Sequence, residues 1–170
     1  MLHNDFITTY LTEVRIENTF FLIVGLITIA LAFIFLGIIK YSFFKGMAIP
    51  LLVLGIIELS AGAISYNQSQ KYSNNIQLLK KYNTEEVQAE ELKRMQIILK
   101  NYTIYSWIEL LLICIGLLLF IRFNKSPQTF WKGFGLGLLI QAIILFALHL
   151  LTEQTGKMYI EQLTNYQPRI

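Results

Sequence analysis

Cysteine, proline, histidine and charge are all scarce in this chain. Of its 170 residues, one is cysteine, two are histidine, three are proline, and 15% are charged. The single cysteine, Cys114, cannot form an internal disulfide, and without a CxxC pair the chain lacks the redox centre of four-helix disulfide oxidoreductases. Nucleotide-binding loops, HExxH and Ser-His-Asp sets are missing as well. The sequence therefore favours a protein that is not an enzyme and holds no cofactor. A membrane enzyme stays open as a third alternative, and it would need an outward cleft that collects Glu58, Glu109, His149 and Tyr105.

The two histidines do not have the spacing of a metal or haem site. His3 lies near the N-terminus, whereas His149 lies at the end of the last apolar run. A metal cluster needs several ligands at close spacing, and haem between helices usually needs a second axial ligand. We therefore expect no metal site, and we expect His149 to be a hydrogen-bonded residue near the membrane interface.

Apolar residues, in contrast, make up 55% of the chain, and the mean hydropathy is +0.53. They are concentrated in four segments that carry almost no charge: 20–39, 47–65, 102–121 and 134–151. About 20 apolar residues cross a hydrocarbon core about 30 Å thick. Helices of a soluble bundle would keep one polar face, and these segments are apolar all round. The sequence predicts an all-α integral membrane protein with four transmembrane helices.

The chain also repeats itself. Phe43-Phe44-Lys45-Gly46 and Phe130-Trp131-Lys132-Gly133 each begin an apolar run, and each run follows an earlier one. This pattern predicts two tandem helical hairpins, residues 1–79 and 80–170. Both hairpins start and end on the same side of the membrane, so we expect a parallel repeat related by a pseudo-two-fold axis along the membrane normal.

The helical pattern continues beyond the membrane spans. Ile7, Tyr10, Leu11 and Val14 fall on one helical face before the first span, and a rod from Thr84 to Arg122 would be about 58 Å long. Tyr159 and Leu163 offer packing surface after the fourth span. These extensions predict an extramembrane four-helix bundle.

Positive charge in the short turns predicts the orientation. These turns carry only basic charges, and the rule for short loops places them in the cytoplasm; the residues are Lys40, Lys45, Arg122, Lys125 and Lys132. Both termini and the 66–102 hairpin are then extracytoplasmic. Basic residues within that hairpin, such as Lys80, Lys81 and Arg94, favour the opposite orientation.

Glu58 and Glu109 are the sharpest candidates for a functional site. Each lies about 20 Å from the basic turns, at similar depth inside a span. Exposing a carboxylate to lipid there costs about 3 kcal/mol, so both should face the bundle interior. Counting residues places His149 one to two turns farther out and Gln141 deeper.

Two interpretations of this group remain open. With His149, Gln141 and Tyr105, the glutamates could form an ion pathway or a ligand pocket. Alternatively, they are a protonated pair that joins helices through hydrogen bonds to nearby polar side chains: Ser60, Ser65, Ser106, Tyr105 or Gln141. Neither glutamate lies in the first span, where small four-helix multidrug exporters keep their essential one, which disfavours an exporter of that kind.

Small residues spaced four or seven apart mark probable contact faces. Gly55 and Gly62 share a stripe on the second span, and Gly133 and Gly137 share one on the fourth. Such spacing permits close helix contact. We expect these glycines to pack helices within one molecule.

The second hairpin resembles small four-span bacterial membrane proteins that are themselves uncharacterised. The residues behind the likeness are Trp131-Lys132-Gly133-Phe134-Gly135-Leu136-Gly137, Gln141 and the stretch from Thr152 to Tyr159. The resemblance covers about the last third of the chain. It implies a bacterial inner-membrane protein and carries over no catalytic residue.

Two functional hypotheses follow. The first is a membrane scaffold that presents its extracytoplasmic bundle to a partner protein or to a second copy of the chain. The second is a small channel, transporter or binder of lipophilic ligands that uses the intramembrane carboxylates. The lipid bilayer is a partner in both, and nucleic acid in neither, because the basic residues are explained by membrane topology.

Overall fold

The computed structural model describes residues 5–82 and 85–165, and the side chains of 8–68, 86 and 88–165. These residues form four α-helices: α1 Asp5–Gly37, α2 Ser42–Tyr82, α3 Glu85–Phe123 and α4 Thr129–Thr164. The shortest has 33 residues and the longest 41, well above the roughly 20 that a span requires. All four are long and apolar enough to cross a membrane. The predicted all-helical chain, with four helices that are long and apolar enough to span a membrane, is confirmed for the described residues.

The helices run antiparallel in chain order, so the bundle has two distinct ends. The turn end holds the connections 38–41 and 124–128, and the terminal end holds the first residues of α1 and the last of α4. α1 packs along α2, α3 packs along α4, and α2 and α4 join the two pairs. In the described part of the chain, α3 makes almost no contact with α2. This leaves one side of the bundle open.

Glycines bring the backbones of α2 and α4 together at the turn end. A Cβ on Gly46 would overlap the Phe130 carbonyl, and a Cβ on Gly133 would overlap the Phe43 carbonyl. Gly137 packs against Met47 and Pro50 of α2 in the same way. Two helices approach this closely only where no side chain separates them. The turn end is therefore tightly packed, with no room for a pore between α2 and α4.

Glycines also set the contacts within each helix pair. Gly25 of α1 and Gly55 of α2 each lie against the backbone of the other helix, and Gly62 lies against Leu22. On the other side of the bundle, Gly116 of α3 and Gly135 of α4 contact each other's helices equivalently. The glycines of the predicted stripes thus all contact a neighbouring helix of the same molecule.

A second core lies near the terminal end, beyond the apolar spans. Tyr10, Met95, Tyr159 and Leu163 are buried there, each with at most 9% of its surface exposed. The rings of Tyr10 and Tyr159 stack with centroids 3.8 Å apart. α1, α3 and α4 are therefore held together in this region by side chains of a soluble-type core.

The apolar surface of the spans is left uncovered. On α3, Trp107 and Leu118 are each 68% exposed, and Ile121 is 63% exposed. Continuous apolar exposure of this kind is costly in water and favourable in lipid. The outward faces of the bundle therefore have the character of lipid-facing surface.

Candidate functional site

Helical spacing brings polar side chains of all four helices to one place. On α4, Gln141 and His149 lie eight residues apart, and on α3, Tyr102 and Glu109 lie seven apart, so each pair shares one face of its helix. Glu58 projects toward them from α2, as does Thr28 from α1. The predicted candidates Glu58, Glu109, His149, Gln141 and Tyr105 all belong to this group.

Glu58 is bound to α4 through Gln141. The amide Nε2 of Gln141 donates to Glu58 Oε2 at 2.7 Å, and Thr28 Oγ1 donates to Gln141 Oε1 at 3.3 Å. Glu58 and Gln141 are each 1% exposed, and the other carboxyl oxygen of Glu58 has no hydrogen-bond partner. A chain of side chains thus crosses the bundle from α1 through α4 to α2.

Glu109 is bound to the histidine of the same helix pair. Its Oε1 contacts Nδ1 of His149, while its Oε2 is buried and has no partner. The His149 ring lies between three aromatic rings, those of Phe21, Tyr102 and Tyr105, at centroid distances of 5.4, 5.9 and 5.8 Å. The carboxylate and the three rings together hold the imidazole in one place.

The contacts connect side chains from different depths along the bundle. Residue counting predicts Gln141 deeper than the glutamates and His149 farther out; Gln141 contacts Glu58, and His149 contacts Glu109. The two α4 residues are about 12 Å apart along the helix. The two contacts therefore lie one above the other along α4.

The cluster belongs to a single electrostatic unit. Glu109 and His149 both lie close enough to Glu58 for their charges to act on its carboxyl group. Two acids and one base therefore share a site of low polarity, where a net charge is expensive.

A central cavity of about 400 Å³ adjoins His149 on the side of the terminal end. All four helices line it; the residues that matter here are Asn18, Phe21, Ile57, Ala61, Tyr105 and His149. Its volume falls within the range typical of small-molecule sites. Because Nδ1 of His149 is bound to Glu109, the other ring nitrogen is the one left for the cavity.

A second cavity of about 240 Å³, the terminal cavity, lies beyond the first. The two share lining residues, including Asn18, Ser65 and Tyr102, and the terminal cavity also reaches Glu17 and Arg94. Arg94 forms an ion pair with Glu91. Together the cavities extend from His149 toward the terminal end of the bundle.

Sequence reasoning missed the contribution of α1. Asn18, Phe21, Gly25 and Thr28 follow one another at spacings of three and four residues, so they share one face of the helix. Two polar residues on such a face in an apolar helix would have indicated a buried polar surface. Tyr102 was assigned to the packing stripe of α3, and its contact with His149 was not anticipated.

The chemistry that these side chains offer is hydrogen bonding. Within the described residues, no group of three or more His, Cys, Asp or Glu side chains is arranged to hold a metal ion. The buried acids are held in two neighbouring pairs, Glu58 with Gln141 and Glu109 with His149. The chain matches no protein-family model, no curated protein and no solved structure.

Proposed function

We propose that this chain is a bacterial inner-membrane protein that binds a small lipophilic ligand in the central cavity, with His149 as a single hydrogen-bonding group at the inner end of the site. The observation that carries the proposal is the position of His149. One of its ring nitrogens is bound to a buried carboxylate, and its side chain lines a cavity formed by all four helices. Such a residue can form a hydrogen bond with a ligand.

The geometry supports a binder over an open channel. At the turn end, the backbones of α2 and α4 are in contact through Gly46 and Gly133. The cavity, in contrast, lies only on the terminal side of the cluster. A continuous water path along the α2–α4 interface has no space, so the site receives its ligand from one side.

The proposal also includes the orientation of the chain in the membrane and the duplication of its helical hairpin. The reciprocal contact, Gly46 on Phe130 and Gly133 on Phe43, pairs residues at corresponding positions of the two repeated sequences. This supports two hairpins related by a two-fold axis between α2 and α4. With the basic turns in the cytoplasm, the cavity opens toward the extracytoplasmic side.

A photoreactive probe tests the binding site directly. A 12-carbon alcohol bearing a diazirine would be crosslinked to the protein in nanodiscs, and the labelled residues located by mass spectrometry. We expect labels near Ile57, Tyr105 and His149, and competition by unlabelled dodecanol. Ala61→Trp fills the cavity from α2 and should reduce this labelling about tenfold, whereas Ala63→Trp, at an exposed position outside the cavity lining, should not. Equal labelling of the two variants would refute the cavity as the site.

A scaffold is the second candidate, favoured by the core near the terminal end. Tyr10, Met95 and Tyr159 build a packed structure beyond the length of helix that a membrane requires. A photocrosslinking residue placed at the exposed Ile97 or Met158 should capture a protein partner or a second copy in native membranes. If neither is captured, the scaffold function loses its basis.

A further inference from the structure

Two polar atoms at the junction of the cavities have no partner. Asn18 is 8% exposed, and its amide Nδ2, a hydrogen-bond donor, has no acceptor. Glu17 accepts a hydrogen bond from Thr155 through Oε1 at 2.7 Å, but its buried Oε2 has no donor. A buried polar group left unpaired costs about 1–3 kcal/mol. The pair therefore holds one unused donor and one unused acceptor, which a ligand can satisfy once the two buried side chains turn toward the cavity; the hydroxyl of Thr152 also lies near the Glu17 carboxyl group.

Both residues line the terminal cavity, and Asn18 lines the central cavity as well. The terminal cavity is the more polar in composition, with Ser65, Gln68 and Asn101 in its wall. The central cavity is bounded by Phe21 and by Ile57 and Ile64 of α2. The outer part is the more polar, and the inner part is mostly apolar apart from His149 and its neighbouring tyrosines, which matches a molecule with a polar head and an apolar tail.

The central cavity is open sideways as well. Ile57, Ile64 and Tyr105, which line it, are 55%, 58% and 46% exposed. They lie on α2 and α3, the two neighbouring helices that make almost no contact in the described part of the chain. A gap between two helices at this height faces the hydrocarbon of the bilayer. An acyl chain can therefore occupy the gap while its head group remains at the level of Asn18.

We infer that the ligand of this site is a phospholipid with a primary ammonium head group, taken from the extracytoplasmic leaflet through the gap between α2 and α3. This inference rests on the proposed ligand-binding function and names the class of ligand. The ammonium donates to Glu17 Oε2, and an oxygen of the phosphate or glycerol ester accepts from Asn18 Nδ2. One acyl chain lies against Ile57 and Ile64, and extends toward His149.

The experiment varies the head group of the phospholipid and not its acyl chains. The full-length protein would be placed in nanodiscs containing equal amounts of phosphatidylethanolamine, phosphatidylcholine and phosphatidylglycerol, and the lipids retained on the protein measured by native mass spectrometry. Phosphatidylethanolamine should be retained about tenfold over the other two, the discrimination that about 1.4 kcal/mol provides. Phosphatidylcholine has no N–H to donate to Glu17, and phosphatidylglycerol has no cation.

Substitutions assign the preference to the two residues. Glu17→Gln and Asn18→Leu should each abolish it, and Asn18→Gln should restore part of it. Glu13→Gln, which removes the same charge one turn earlier on α1 and outside both cavities, should leave it intact. Soluble glycerophosphoethanolamine should compete poorly, because it has no chain for the α2–α3 gap. Effective competition by it would mean that the head group alone is bound and would overturn the lipid assignment.

The outcomes separate this inference from the proposed function. Labelling by the alkyl probe that is sensitive to Ala61→Trp, without any head-group preference, overturns the lipid assignment and leaves ligand binding in place. Absence of such labelling overturns both. A preference for phosphatidylethanolamine that survives both Glu17→Gln and Asn18→Leu places the lipid elsewhere on the protein and also overturns the inference.

Discussion

At the scale of single residues, we expect the hydrogen bond from Gln141 to Glu58 to contribute to the stability of the bundle, and this contribution can be measured. Gln141→Leu and Glu58→Leu each leave a buried polar group without its partner, so each should cost about 1–3 kcal/mol of stability. The double variant removes both groups. It should be less destabilised than the sum of the single variants, by about 0.6–1.7 kcal/mol.

Unfolding by SDS in mixed micelles would measure these stabilities. Gln154→Leu, at an exposed position of the same helix, serves as the control and should change stability by at most about 0.5 kcal/mol. Additive effects of Gln141→Leu and Glu58→Leu would contradict the direct contact.

Single residues also show what the sequence could and could not predict about the site. Glu58, Glu109 and His149 stand out because charge in an apolar run requires a reason. Their pairing could not be derived, since it depends on the relative shift of helices and on how long side chains slant. The partner of Glu58 turned out to be Gln141, one of several polar side chains considered; Ser106 Oγ, another of them, has no hydrogen bond.

At the scale of helices, glycine contacts determine how closely α2 and α4 approach. Gly133→Ala and Gly46→Ala would each place a methyl group on a carbonyl of the other helix. We expect each to cost about 1–3 kcal/mol in the same SDS unfolding experiment, by analogy with overpacked cores. Because the two contacts are reciprocal, the two losses should be similar.

Gly37→Ala is the matched control for these variants. A Cβ at Gly37 has no atom within 4 Å, so the substitution should be neutral or slightly stabilising. If Gly133→Ala were as harmless as Gly37→Ala, the close backbone approach of α2 and α4 would be wrong.

The core near the terminal end, formed by Tyr10, Met95, Tyr159 and Leu163, can be tested separately from the α2–α4 contact. Tyr159→Ala removes a stacked, 1% exposed ring and should cost about 3–5 kcal/mol. Tyr159→Phe keeps the stacked ring and loses the contacts of the hydroxyl, including one of 3.4 Å with Glu91, so it should cost less than Tyr159→Ala. Hydrogen exchange should accelerate at 91–99 and 156–163 in the alanine variant alone. Protection unchanged by Tyr159→Ala would show that the core does not hold these helix ends.

The extents of the helices were the feature of this fold that the sequence predicted best. Apolar runs and their periodicity predicted one continuous helix from the lead-in through the first span, and α1 extends from Asp5 to Gly37. The rod expected from Thr84 to Arg122 corresponds to α3, Glu85–Phe123. The openness between α2 and α3 could not be predicted, because it depends on which helix pairs the glycines draw together.

At the scale of the whole molecule, orientation determines which compartment the cavities face. In a Cys114→Ala background, a membrane-impermeant maleimide should label Thr164→Cys in intact cells and label Ser126→Cys only after permeabilisation. The physical reason is the basic charge of the short turns, which favours the cytoplasm. The reverse labelling pattern would invert the topology and place the cavities on the cytoplasmic side.

The two-hairpin organisation predicts that the chain can be divided. Residues 1–79 and 80–170 each contain one antiparallel helix pair, and the pairs meet mainly along α2 and α4. Helices that are already inserted associate through close packing and interhelical hydrogen bonds, and this interface has both in Gly46, Gly133 and the bond from Gln141 to Glu58. The two halves, expressed together from separate genes, should therefore assemble and copurify.

Gly133→Leu tests whether the halves assemble through the contact of α2 with α4. A leucine at this position would separate α2 from α4 without changing either hairpin. We expect it to abolish copurification of the halves, whereas Ile143→Leu, on an exposed part of α4, should not affect it. Assembly that survives Gly133→Leu would place the association elsewhere, in the contact of α1 with α4 or in the core near the terminal end. Failure of the unmodified halves to assemble would mean that an unbroken chain is required to hold the pairs together, and the hairpins could not be independent units.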